Sequence, residues 1–247
     1  MKVFLRAIST LLVLLIAISL CGCNSDIKVR NLMQNIKPST ALSPNNIRPQ
    51  NVRMTDFALR LFRATEKKNE NTLISPLSVI SALGMTANGA EKETLLQMEA
   101  VFGMTSDELN LYLNGYMKKL PYDEQYKLSL ANSIWFNEDA RFTVNTDFLQ
   151  RNADYYGADV FEAAFDRETL RDINNWVKKN TDGMIPKILD EIPDFAVMYL
   201  VNALAFEAEW SEIYEKHQVR SGDFIKADGT KQKVEFMYGS EWNYLED

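Results

Sequence analysis

The side chains able to do chemistry are few and scattered. His217 is the sole histidine in 247 residues. A Ser-His-Asp triad would have to use it, yet no G-x-S-x-G elbow presents a serine. The histidine lies in a short polar segment and reads as a solvated loop residue. Glu207 and Glu209 share one face of an expected strand, but like charges two residues apart near a strand end read as solvated rather than as an acid–base pair. Asp190-Glu191 and Glu246-Asp247 carry no more signal. No His or Cys spacing supports a metal site, so no metal, cofactor or catalytic residue is expected. Gly157 and Gly183 read as helix stops with no phosphate-binding loop around them. Trp135, Trp176, Trp210 and Trp242 read as packing rather than as a sugar platform. No catalytic set can be assembled, which disfavours an enzyme.

The cysteines are Cys21 and Cys23, both near the amino end, so the rest of the chain has no thiol, disulfide or thiolate metal site. Lys2 and Arg6 precede an apolar run over residues 7–20, followed by Leu20-Cys21-Gly22-Cys23. That layout is one of a secretory signal. The Leu-x-Gly-Cys box resembles that of bacterial lipoproteins, in which the cysteine is acylated and becomes the new amino terminus. On this reading residues 1–22 are the signal peptide and Cys23 carries the lipid. The protein is then exported and anchored to a membrane, periplasmic or at the cell surface. Plain secretion with an incidental cysteine, or an uncleaved anchor, are the alternatives. Residues 23–50 place Pro38, Pro44 and Pro49 among Asn, Ser and Lys without clear periodicity. They read as a flexible tether reaching on the order of 30 Å.

The formal charge of −7 is spread along the chain, and no basic patch suggests nucleic acid as a partner. A hydrophobic share of 46% and a charged share of 25% are those of an ordinary globular protein, here long enough for a large core. Phe57, Ala58, Leu61, Phe62 and Thr65 fall at helical spacing over 53–67. Thr105 to Glu108 form a capping box that opens a further helix with Leu109, Tyr112, Leu113 and Tyr116 on one side. Strands are expected over 127–136, 158–165 and 196–210, and helices over 145–156 and 170–179. Residues 224–237 read as a hairpin turned at Asp228-Gly229. In the long strand, Met198, Leu200, Asn202, Leu204, Phe206, Ala208 and Trp210 share a face by the period of two.

All of these must be arranged around residues 71–103. Ser75 can cap a helix, and Pro76 suits its first position because its missing N–H costs nothing there. Leu77, Val79, Ile80, Ala82, Leu83, Met85 and Ala87 then cover the whole circumference, the pattern of a helix sunk in a core. Ser78, Ser81, Ala82 and Gly84 are small enough for close approach of other backbone. Asn88-Gly89 ends the helix, and Glu91 and Glu93 open another that stops at Gly103.

The string N-x-x-I-S-P-L-S-V-x-x-A-L-x-M-x-x-x-G-A in this stretch resembles the amino-terminal signature of the serpins, the serine protease inhibitor family. L-S-L-A-N-S-I-W-F at 128–136, I-N-N-W-V-K-K-N-T-D-G-M-I at 173–185 and L-V-N-A-L-A-F-E-A-E-W at 200–210 resemble, in the same order, the family's second sheet strand, the helix crossing its sheet and its third sheet strand. The resemblance implies an α+β fold: the amino-terminal part of a serpin domain, over residues 51–247, with helices around a central sheet and an added hairpin. It implies a suicide-substrate inhibitor of serine or cysteine endopeptidases, a monomer when complete. In the family a protease cuts an exposed loop, which then enters the sheet as a new strand. That loop and its hinge lie in the family beyond the region matched, so this chain is expected to be a truncated or partial form. The long strand would then leave a bare edge. A non-inhibitory serpin-like surface binding protein, or an inactive remnant, is the alternative. The polar residues matching the family's sheet-opening region are Ser75, Ser78 and Asn202. A buried Asn202 among apolar neighbours needs a partner, and the expected one is a hydroxyl or backbone group of the helix at Pro76.

Overall fold

A computed structural model describes residues 29–39, 48–67, 70–120, 126–139, 143–210 and 213–240. Its elements run β1 Arg30–Asn31, α1 Arg48–Thr65, α2 Pro76–Ala87, α3 Lys92–Phe102, α4 Ser106–Met117, β2 Tyr126–Asn137, α5 Thr146–Tyr156, β3 Asp159–Ala163, α6 Arg167–Asn180, β4 Met198–Ala208, β5 Val219–Ile225 and β6 Lys231–Met237. The first four strands form one mixed sheet in the order β1-β3-β2-β4, and β5 pairs with β6 as a separate hairpin. β2 and β3 are parallel, with α5 as the crossover such a pair needs. β4 runs antiparallel to β2 along its whole length, with Asn132 opposite Asn202.

Both faces of the sheet are covered. On one, Ile134, Phe136, Met198 and Leu200 meet α2, α4 and α5 through Ile80, Met85, Leu109, Leu113 and Tyr156. On the other, Trp135, Phe161, Val201 and Ala203 meet Ile173, Trp176 and Val177 of α6. On β4, Val201, Ala203 and Ala205 are buried, while Leu200, Asn202 and Leu204 on the other face are half-buried. Val201 and Ala203 belong to the core cluster that includes Ile173, Trp176 and Val177 of α6.

The helix ends follow local chemistry. Asp166 caps α6 by accepting from the N–H groups of Glu168 and Thr169, so the helix begins ahead of the expected Leu170. Thr105 and Glu108 close the capping box of α4. Gly103 and Gly157 end α3 and α5 at φ 71° and 55°, a region a Cβ would penalise. Helix α2 begins with the Ser75 cap and Pro76 at its first turn. Its burial is less uniform than the sequence suggested: Ile80, Ser81, Gly84, Met85 and Ala87 are buried, but Val79 is 37% exposed.

The expected tether is corrected over its described part. Arg30 and Asn31 pair with Glu162 and Phe161 along the edge of β3. The Leu32 amide donates to the Val160 carbonyl at 2.8 Å, and Leu32, Met33 and Ile36 pack against the helix-side core. Gln150 donates to the Lys37 carbonyl at 2.8 Å, and the Ser39 amide donates to Asp154 Oδ1 at 2.7 Å. A strap with so few apolar residues shows no period, and only its tertiary partners give it order. Residues 48–50 belong to α1 rather than to a linker. The expected signal peptide and Cys23 lie outside the described residues, as does Trp242.

Candidate functional site: the interior beneath the sheet

Ser75 and Ser78 lie side by side at the start of α2. The Ser78 amide donates to Ser75 Oγ at 3.2 Å, and the two hydroxyls are 2.9 Å apart with Ser75 donating. Asn202 does not join them. Its Nδ2 donates across the strand pair to Asn132 Oδ1 at 2.7 Å, because the antiparallel register sets these two amides directly opposite. Asn202 Oδ1 is buried without a donor among the described residues. The expected bond from Asn202 to helix α2 is therefore replaced by a cross-strand bond, although α2 lies beneath β4.

From Asn132 the hydrogen bonding continues inward. Asn132 Nδ2 donates to the Tyr156 carbonyl at 3.0 Å. The Tyr156 hydroxyl donates to Asn110 Oδ1 at 2.8 Å, and Asn110 Nδ2 donates to Asn88 Oδ1 at 2.7 Å. Asn88 Nδ2 donates to Asn152 Oδ1 at 3.2 Å, and Asn152 Nδ2 reaches the Phe148 carbonyl at 3.0 Å. Asn110, Asn132, Asn152 and Tyr156 are all buried. Burial pushes the Tyr156 hydroxyl far above the ordinary phenol range, so it stays protonated and can only serve as an O–H here. Each donor–acceptor pair answers the cost of removing a polar group from water.

Sequence reasoning missed Asn88, Asn110, Asn132, Asn152 and Tyr156 as members of one network. Asn132 carried a signal, as an amide on the face of β2 that also holds Leu130 and Ile134. Asn152 and Tyr156 share α5 at i,i+4 spacing, but no spacing in sequence joins that pair to Asn110 on α4 or to Asn88 at the end of α2.

At the far end of the sheet the interior opens. β4 is the last strand, with no hydrogen-bonded neighbour on its outer edge among the described residues. Phe206 and Trp210 are 66% and 64% exposed there. At the start of β4 an apolar groove of about 390 Å³ is lined by Phe136, Val144, Phe148, Met198 and Leu200 among others. His217 is exposed, on a 3-10 turn over Lys216–Gln218 rather than in a loop, and lies 3.2 Å from Glu215. Among the described residues no cluster of His, Cys, Asp or Glu could hold a metal ion. No described helix is long and apolar enough to cross a membrane.

The profile of the family described as Serpin (serine protease inhibitor) matches residues 52–247. This chain belongs to the serpin family. It is 31% identical over 207 residues to a leukocyte elastase inhibitor of Equus caballus, covering 78% of this chain and 54% of that one. To Serpin-Z2A of Oryza sativa subsp. japonica it is 32% identical over 209 residues, covering 78% and 48%. The fold is similar to the crystal structure of the thermophilic serpin tengpin in its native state, with a TM-score of 0.79, 51% identity, and 85% and 54% of the two chains covered. Against the latent state of tengpin the TM-score is 0.71, at 52% identity, covering 79% and 54%. The chain spans about half the length of the curated relatives it matches. In serpin terms, β2 and β4 are the second and third strands of the central sheet, α2 is the helix behind them and α6 crosses the front.

Proposed function

We propose that this chain is the amino-terminal part of a suicide-substrate inhibitor of serine or cysteine endopeptidases. The carrying observation is the outer edge of β4, unpaired among the described residues, with Asn202 Oδ1 buried without a donor among them and helix α2 beneath. An edge strand with unpaired N–H and C=O groups and exposed apolar side chains is a template for another strand. Inhibition on this reading uses no catalytic group of the inhibitor. The protease forms an acyl-enzyme with a bait loop, and insertion of that loop beside β4 strands the intermediate.

The bait loop belongs, in this reading, to the part of the serpin fold not matched here, and the target protease is chosen there. The amino end adds a location: residues 1–22 direct export, Cys23 is acylated, and the domain acts as a monomer from a bacterial membrane surface. Intact mass of the chain expressed in a bacterium, with Cys23→Ser as comparison, tests the lipid. For inhibition, the chain joined to a complementary serpin carboxy-terminal part is mixed with trypsin-, chymotrypsin- and elastase-like proteases and with papain. A complex that survives boiling in detergent is expected with at least one. Cleavage without any such complex would favour the non-inhibitory surface protein.

A further inference from the structure

The amide network beneath the sheet is directional. Every side chain in it donates toward the same end: Asn202 to Asn132, Asn132 to Tyr156, Tyr156 to Asn110, Asn110 to Asn88, Asn88 to Asn152. Hydrogen bonds aligned in this way polarise one another within each of the two runs, Asn202 to the Tyr156 carbonyl and the Tyr156 hydroxyl to Asn152, and the runs are joined by the covalent frame of Tyr156. Tyr156 is the member bonded at both ends, its carbonyl to the sheet and its hydroxyl to the helix layer. The hydroxyl reaches Asn110 by passing over α2 at Gly84. A Cβ on Gly84 would stand 2.2 Å from that oxygen, closer than real Cβ atoms come to any neighbour. Gly84 is inside a helix with no turn to make, so its lack of a side chain is used for passage rather than for backbone freedom.

We propose that Tyr156 is a positioning residue that couples β4 to helix α2, with Gly84 as the notch that admits it. The relay fixes the register between the β2–β4 pair and the helices it must shift against. It thereby sets how readily the sheet yields at its open edge. This rests on the inhibitory reading for its consequence, but its physical content is the coupling itself.

Backbone hydrogen exchange on the 247-residue chain tests it, with Tyr156→Phe, Gly84→Ala and the double variant. Tyr155→Phe, on the same helix but outside the relay, is the control. Removing the hydroxyl leaves the Asn110 acceptor unpaired while keeping the ring. Protection at Val201 and Ala203, whose amides face β2, and at Met85 to Asn88, is expected to fall about tenfold, the equivalent of one buried hydrogen bond. Ile173 to Val177 of α6, packed on the opposite face, should hold their protection. A loss confined to α4 and α5 overturns the coupling, and so does an equal loss at every amide, which is general destabilisation. Gly84→Ala should reproduce the pattern, and should cost less when Tyr156 is already Phe because the oxygen it strikes is gone. Additive losses overturn the notch. No protease enters this experiment. Propagated exchange without any protease complex would therefore sink the inhibitory reading alone, whereas a protease complex with localised exchange would sink the relay alone.

Discussion

The two edges of the central sheet are treated in opposite ways by the same chain. At the β3 edge the strap of residues 29–39 supplies a short strand, three apolar side chains and hydrogen bonds from both its backbone and its partners. At the β4 edge the outer N–H and C=O groups of an eleven-residue strand face no neighbour among the described residues. Composition does not explain the contrast, since Phe206 and Trp210 are as apolar as Leu32 and Ile36. The difference is that a described segment lies along the outer side of β3 and none lies along the outer side of β4.

The closed side should be the stable one, and Trp135 tests this most severely. It is fully buried under α6, its ring 4.3 Å from Phe161 and its indole N–H on Ser133 Oγ at 2.9 Å. Trp135→Ala should cost about 3–5 kcal/mol in urea denaturation. A cost under about 1 kcal/mol would mean that α6 is not seated as described. Next in size is the strap. Leu32 and Ile36 are each half-buried, so the double change to Ala should cost about 2–3 kcal/mol, less than full burial would imply. If that change left the denaturation midpoint unmoved, the strap would be decoration and the contrast between edges would fail.

Acid should loosen the strap as well. Burial pushes the Asp154 carboxyl up, but hydrogen bonds from the Ser39 backbone and from Gln150 outweigh it and hold it below the usual carboxylate range. A depressed folded-state value means that the ionised form is favoured by folding. Its contribution is present above about pH 4 and is lost as the pH falls through the lower, folded value. Asp154→Asn should flatten that part of a stability–pH profile, and an unchanged profile would remove Asp154 from the strap. The smallest effect on stability is expected at the open edge. Phe206→Lys should shift unfolding by no more than about 0.5 kcal/mol while reducing light scattering at high concentration. Destabilisation beyond about 2 kcal/mol would show that Phe206 is covered after all, and that the edge is not bare.

Much of the fold was legible in the chain. Ser75-Pro76, Thr105 with Glu108, and Gly103 and Gly157 announce helix ends because capping is settled within a few residues. The period-two alternation marked β2 and β4 for the same reason. Burial ranking was not legible: alternation names the two faces of β4 but not the deeper one, which is the face with Val201, Ala203 and Ala205. The strap was hidden because its few apolar residues are ordered by β3 and α5, more than a hundred positions away.

The candidate site divides along the same line. The family resemblance marked Ser75 and Ser78, and residue type marked Asn202 as a polar group in apolar surroundings, since a buried amide must find a partner wherever it falls. Which partner it finds depends on strand register, and register set Asn202 opposite Asn132 rather than beside Ser75. The sequence by itself determined the family, the helix caps and the strand faces, all governed by contacts between near neighbours. Only the tertiary structure decided that amides on β4, β2, α4, α2 and α5 would meet end to end around Tyr156. Hydrogen-bond geometry reaches about 3 Å, and nothing in the linear order brings those residues within that distance.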